Sequence, residues 1–116
     1  MNWWRIAGVV GALGVALGAF GAHGLKDVVA DPSHIERWWA TGARYHLIHA
    51  VALLGVAAHP ARPTGAGVSF LIGIGLFSGS LYLMTLTGIT KLGMITPLGG
   101  LAFITGWLLL ALAKER

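Results

Sequence analysis

Apolar positions fall into four long runs, and the breaks between them are short and polar. Residues Ile6 to Ala22 carry no charge, and neither does the stretch from Gly65 to Ile89. Between them lies an apolar run from Tyr45 to about Ala58, and a last one spans Thr96 to Ala113. A helical crossing of the hydrocarbon layer takes about 20 apolar residues. The pattern therefore predicts an all-α polytopic membrane protein, four transmembrane helices in a compact bundle. Residues 1–116 form one membrane domain with spans at about 4–23, 43–59, 66–89 and 95–113, and the second helix has an interfacial start at 33–42.

The breaks carry their own signals. Gly24 to Pro32 mixes Lys26 with Asp27 and Asp31, and Ser33-His34-Ile35-Glu36 then matches a capping box, hydroxyl first and carboxylate three residues on. Pro32 suits a helix that cannot begin earlier, and Pro60 and Pro63 stop it after His59. A helix of that length, roughly 39 Å at 1.5 Å per residue, outruns a hydrocarbon layer of about 30 Å. Glu36, Arg37, Trp38 and Trp39 are therefore expected among the headgroups. Trp3 and Trp4 beside Arg5 read likewise as interfacial anchors, as do Trp38 and Trp39. Lys91 marks the last connection, and Thr96-Pro97 reads as an N-cap with proline at the first helical position.

Glycine spacing bears on packing. Gly11, Gly14, Gly18 and Gly21 recur at three- and four-residue steps, which flattens one side of the first helix for a neighbour's backbone. Ala19-Phe20-Gly21-Ala22 after a short apolar core also fits a cleaved signal peptide, but a disposable leader has no need of a flat face, so a retained span is favoured. Ser69-x-x-x-Gly73 and Gly75-x-x-x-Gly79 give the third helix two small-residue faces and a central place in the bundle. Gly14, Gly18, Gly75 and Gly79 are the expected packing positions.

Composition supports this picture. Hydrophobic residues make up 56% and charged residues 10%, against roughly 25% charged in a typical soluble domain. The formal charge of +4 is scattered at the ends of apolar runs, which suits phospholipid headgroups and membrane lipids as partners, not nucleic acid. The absence of cysteine removes disulfides, thiolate metal sites and thiol redox chemistry. Four spans put both termini on one side. Lys and Arg divide evenly between the two faces; the amino terminus together with Lys114 and Arg116 favours both termini cytoplasmic.

Candidate chemistry gathers at one height. His23 ends the first span while Tyr45, His46 and His49 open the second. The third brings Ser78, Ser80 and Tyr82 to the same half, and the fourth starts there with Thr96. Tyr45 and His49 are four apart and His46 and His49 three apart, so they share a helix face. Ionisable groups inside a membrane point to function by default, and His46-x-x-His49 has workable spacing for a metal or haem. The simpler account is that neutral imidazoles and hydroxyls hydrogen-bond helix to helix. No carboxylate joins the histidines within the bilayer, and no Ser-His-Asp order, phosphate loop or nucleotide fingerprint occurs.

Gly18-Ala19-Phe20-Gly21-Ala22-His23, then Trp39 with Thr41-Gly42 and Tyr45-x-x-x-His49, resemble the opening half of one family. Phe77-Ser78-Gly79-Ser80-Leu81-Tyr82, Thr96-Pro97-Leu98-Gly99-Gly100 and Gly106-Trp107 resemble its closing half. It is the family of the domain of unknown function four-two-three, which includes the eukaryotic transmembrane protein two-five-six. The resemblance implies a small multi-span inner-membrane protein with no assigned activity, cofactor or substrate. Where this chain has His46 the family pattern often has glutamine, a poor metal ligand and a good hydrogen bonder.

The expectation is then a non-enzymatic packing or accessory membrane protein with an intramembrane polar cluster and no cofactor. It would self-associate as a homo-oligomer, with room for a larger membrane complex. An oligomeric small-solute or proton-linked transporter, lined by His23, His49 and Tyr82, ranks second. A metal- or haem-binding redox protein ranks third.

Overall fold

A computed structural model describes residues 1–114; Glu115 and Arg116, the second of which enters the orientation argument, lie outside the described residues. Every regular element among the described residues is helical. Helix α1 (Trp3–His23) is capped by Asn2, whose side chain accepts the Arg5 N–H at 3.1 Å. After a 3₁₀ turn at Leu25–Asp27 the chain reaches Asp31, and here the expected capping box does not form. Asp31 is the cap: its Oδ1 accepts the Ser33 N–H at 3.0 Å and the Ser33 hydroxyl at 2.6 Å, with Pro32 inside the turn Pro32–His34. A carboxylate two residues upstream is a stronger acceptor than Glu36 can be from the next turn, so it takes the serine. Those same Ser33 bonds, side chain first, hold the exposed Asp31 carboxyl below its ordinary value.

A π turn, Ile35–Trp39, leads without interruption into α2 (Ala40–Ala58). Beyond the prolines, α3 (Thr64–Gly73), a second π turn (Ile74–Ser78) and α4 (Gly79–Thr87) form one continuous rod. The rod stops at Gly88, which takes φ 73°, a left-handed conformation suited to glycine. The third helix thus ends two residues before Ile89, where the apolar run alone had carried it. A 3₁₀ turn at Thr90–Met94 precedes α5 (Thr96–Leu112), with Pro97 in its first turn. Thr96 is not its N-cap; Ile95 is, because the Thr96 hydroxyl is engaged by Ser80 on α4.

Helix α1 packs along α2, α5 packs along α3 and its π turn, and α2 also meets the α3–α4 rod, so α2 and the rod form the centre. The molecule measures 52 × 26 × 18 Å, elongated along the helices. Among the described residues three helices are long and apolar enough to cross a membrane: Trp3–His23, Thr64–Thr87 and Thr90–Leu112. Helix α2 is of similar length and carries Arg44, His46 and His49. Both histidines are buried between its neighbours.

Two apolar clusters bracket those histidines. Leu25, Val29 and Trp39 fill the end near the α2 start, while Trp3, Leu53, Val56, Phe70 and Phe103 belong to the larger one. Two tryptophans expected as anchors are core residues. Trp3 is 4% exposed, and a methyl on Gly67 would run into its ring. Trp39 is 2% exposed and donates its indole N–H to the Leu17 carbonyl at 2.7 Å. Each is buried because the facing helix offers glycine there, Gly67 to Trp3 and Gly21 to Trp39. Trp4 stays exposed, and Trp38 stacks on His34 with centroids 3.8 Å apart.

The packing glycines also differ from expectation. Gly14 sits against α2, where an added Cβ would come within 2.7 Å of Leu47 and 3.2 Å of the His46 ring. Gly18 and Gly75 meet nothing within 4 Å, and Gly79 only a carbonyl of its own turn. A four-residue step advances about 40° round a helix of 3.6 residues per turn, which carries Gly18 off the face that holds Gly14. The close approaches are made instead at Gly42, Gly67, Gly73, Gly99 and Gly106.

Candidate functional site: a polar layer across the bundle

Gly42 brings α2 close to the second π turn: an added Cβ would lie 3.3 Å from the Ser78 carbonyl oxygen. Across that contact the buried Ser78 hydroxyl donates to the Gly42 carbonyl at 2.7 Å. One turn further along α2 comes His46, then His49, and the two rings are taken up by different helices.

His46 bridges α1 and α4. Its Nε2 lies 2.9 Å from the Val10 carbonyl and its Nδ1 lies 2.9 Å from the Tyr82 hydroxyl. A carbonyl can only accept, so Nε2 carries the proton and Nδ1 accepts from the phenol. The Tyr82 ring in turn lies against Trp39, centroids 4.6 Å apart. His46 is therefore a spacer, fixing the Tyr82 phenol relative to a backbone carbonyl of α1.

His49 faces α5. The Trp107 indole N–H donates to Nε2 at 3.0 Å, and Nδ1 lies 2.7 Å from the Tyr45 carbonyl of its own helix. Indole nitrogen is a donor only, so Nε2 is bare and Nδ1–H donates to Tyr45. The ring stacks on Phe103 at 3.6 Å and 10° and lies 5.6 Å from Phe70. Adding a proton to His49 would set two N–H groups against each other at Trp107. His46 differs, since a second proton there could be met by reorienting the Tyr82 hydroxyl.

A third link joins α4 to α5, where the Ser80 and Thr96 hydroxyls lie 2.6 Å apart, either one donating. The structure thus joins His46 with Tyr82 and Ser80 with Thr96, and ties Ser78 to α2. The predicted shared face of His46 and His49 is not realised: three residues turn a side chain about 60° short of a full circle, enough to send one ring to α1 and α4 and the other to α5. Tyr45 packs its ring on Phe77, centroids 4.6 Å apart, and is half-exposed. His23 is exposed at the end of α1 and forms no hydrogen bond among the described residues. Among those residues no three His, Cys, Asp or Glu side chains gather as a metal site.

Pairing by spacing missed Trp107, Phe103 and the Val10 carbonyl as partners. Trp107 had a usable signal: a donor-only indole inside an apolar span needs an acceptor. A carbonyl such as that of Val10 leaves no trace in residue type. Beside His49 an open apolar groove of about 700 Å³ runs between α2 and α5, walled by Tyr45, Phe77, Phe103 and Trp107.

The family described as "Protein of unknown function (DUF423)" matches residues 17–100. The chain is 45% identical to the Bacillus subtilis UPF0382 membrane protein YwdK, covering 100% of this chain and 98% of that protein. It is 38% identical to a UPF0382 membrane protein of Schizosaccharomyces pombe, over 92% and 96% of the two chains. With the Escherichia coli UPF0382 inner membrane protein YgdD it shares 36% identity over 95% and 86%. No solved structure matches it.

Proposed function

The chain belongs to the DUF423 family of small membrane proteins of unknown function, and from that premise we propose that it is a non-enzymatic packing or accessory protein. One observation carries this reading: both ring nitrogens of His46 and of His49 are occupied by partners within the chain. A metal- or haem-ligating imidazole needs a free nitrogen lone pair. Here Trp107 and Tyr82 donate into the only two lone pairs. The layer then serves to set the registry of four rods in a medium where apolar contact does not distinguish helix from lipid.

The reading is tested by purifying the protein in mild detergent and taking an optical spectrum and an elemental analysis. No metal, haem or quinone at stoichiometric level is expected. Any one of them bound one to one would overturn the proposal.

The inner membrane as location draws support from the name of the Escherichia coli relative. Self-association is part of the same reading. Gly75 is open on the α3–α4 rod beside exposed Ile72 and Leu76, a shape that admits a second helix closely. Crosslinking in native membranes should trap a homo-oligomer, and Gly75→Leu should reduce its yield several-fold.

A further inference from the structure

A second groove, about 280 Å³, lies between α1 and α2 on the side away from α5. Its apolar part is made by Gly18, Ala43, Leu47 and the edge of Trp39, and its rim carries Arg44 and Glu36. Arg44 is exposed and makes no hydrogen bond or ion pair among the described residues. It stands well inside the second helix, two turns or about 12 Å beyond Glu36. A guanidinium at that depth beside hydrocarbon needs an anionic acceptor, and long basic side chains reach for one along the helix toward the membrane surface. On helices, long side chains also lean toward the N-terminus, which for Arg44 is the direction of Glu36.

From the membrane interior outward the groove therefore presents Leu47, the Arg44 cation and the Glu36 carboxylate, with Ala40 and the edge of Trp39 between the two charges. An aminophospholipid presents the complement in the same order: acyl chain, phosphate, ammonium. We propose that this groove binds one phospholipid with an ethanolamine headgroup, its phosphate on Arg44, its ammonium on Glu36 and the upper part of one chain over Gly18 and Leu47. Guanidinium pairs with phosphate oxygens in bidentate fashion. A primary ammonium offers Glu36 three N–H donors, which a choline headgroup lacks. A glycerol headgroup lacks the charge.

The proposal rests on the accessory reading in that it names the lipid such a protein would hold, and it does not depend on the polar layer. The full-length protein in detergent is titrated with phosphatidylethanolamine, phosphatidylcholine and phosphatidylglycerol of identical chains and observed by native mass spectrometry. One phosphatidylethanolamine should be retained per chain, at least tenfold more tightly than either alternative. Arg44→Gln should weaken all three at least tenfold, and Glu36→Gln should erase the ethanolamine preference while sparing phosphatidylglycerol. Gly18→Leu fills the groove where an added Cβ meets nothing, and should abolish retention without lowering Tm. Equal retention of the three lipids, a preference for choline or glycerol, or variants that bind like the parent would each overturn the proposal while leaving the accessory reading intact. A stoichiometric haem or metal would do the reverse.

Discussion

Two histidines three residues apart behave differently because their partners differ in kind. Trp107 can only donate, so removing it by Trp107→Phe leaves His49 Nε2 bare, and a loss of roughly 0.6–1.7 kcal/mol is expected in detergent unfolding, the range for membrane hydrogen bonds. His46→Gln should cost less, because an amide also donates to the Val10 carbonyl and accepts from Tyr82; a larger loss for His46→Gln than for Trp107→Phe would contradict the assigned roles. Asp31 makes the pH-dependent contribution. Its folded value lies below 3.8, so the cap contributes fully above the ordinary carboxylate range and is lost as pH falls through the folded value. Protection of the Ser33 amide against hydrogen exchange, taken relative to its intrinsic rate at each pH, should fall on acidification, and Asp31→Asn should remove that acid response. The types of donor and acceptor in the layer were plain from the sequence. Their pairing was not, since it depends on a rotation of about 60° between His46 and His49 and on main-chain oxygens that carry no residue signature.

The helices were legible because apolar runs, Pro60, Pro63 and Pro97 bound them directly. The two π turns were not, since one added residue in a turn changes no composition. Glycine spacing suggested faces but not which were filled: Gly14 is covered, Gly18 and Gly75 are open, and Gly99 meets the Phe77 backbone. This difference can be measured. Gly99→Ala pushes a methyl into main-chain atoms that cannot swing away, with an added Cβ 2.7 Å from Phe77 Cα, so a loss near the upper end of about 1–3 kcal/mol is expected. Gly75→Ala should fall within about 0.5 kcal/mol of the parent. Thermal unfolding of both in one detergent checks the contrast, and equal losses would mean the approach of α5 to the second π turn is misplaced.

The whole bundle carries a topological expectation. With no cysteine in the chain, a single one at Asn2 is a clean reporter, and with both termini cytoplasmic a membrane-impermeant maleimide should label it only after permeabilisation. Labelling in intact cells would reverse the orientation. Trp3 has a consequence for biogenesis. Its seat is made by Ala57 and Gly67, residues that leave the ribosome long after the indole itself. Until α3 is inserted, that indole has the Ala57 side of its seat and lacks the Gly67 side. The first helix can settle beside the second during synthesis, yet its outer end closes only once the third arrives, so the earliest tryptophans made include one of the last to find its place.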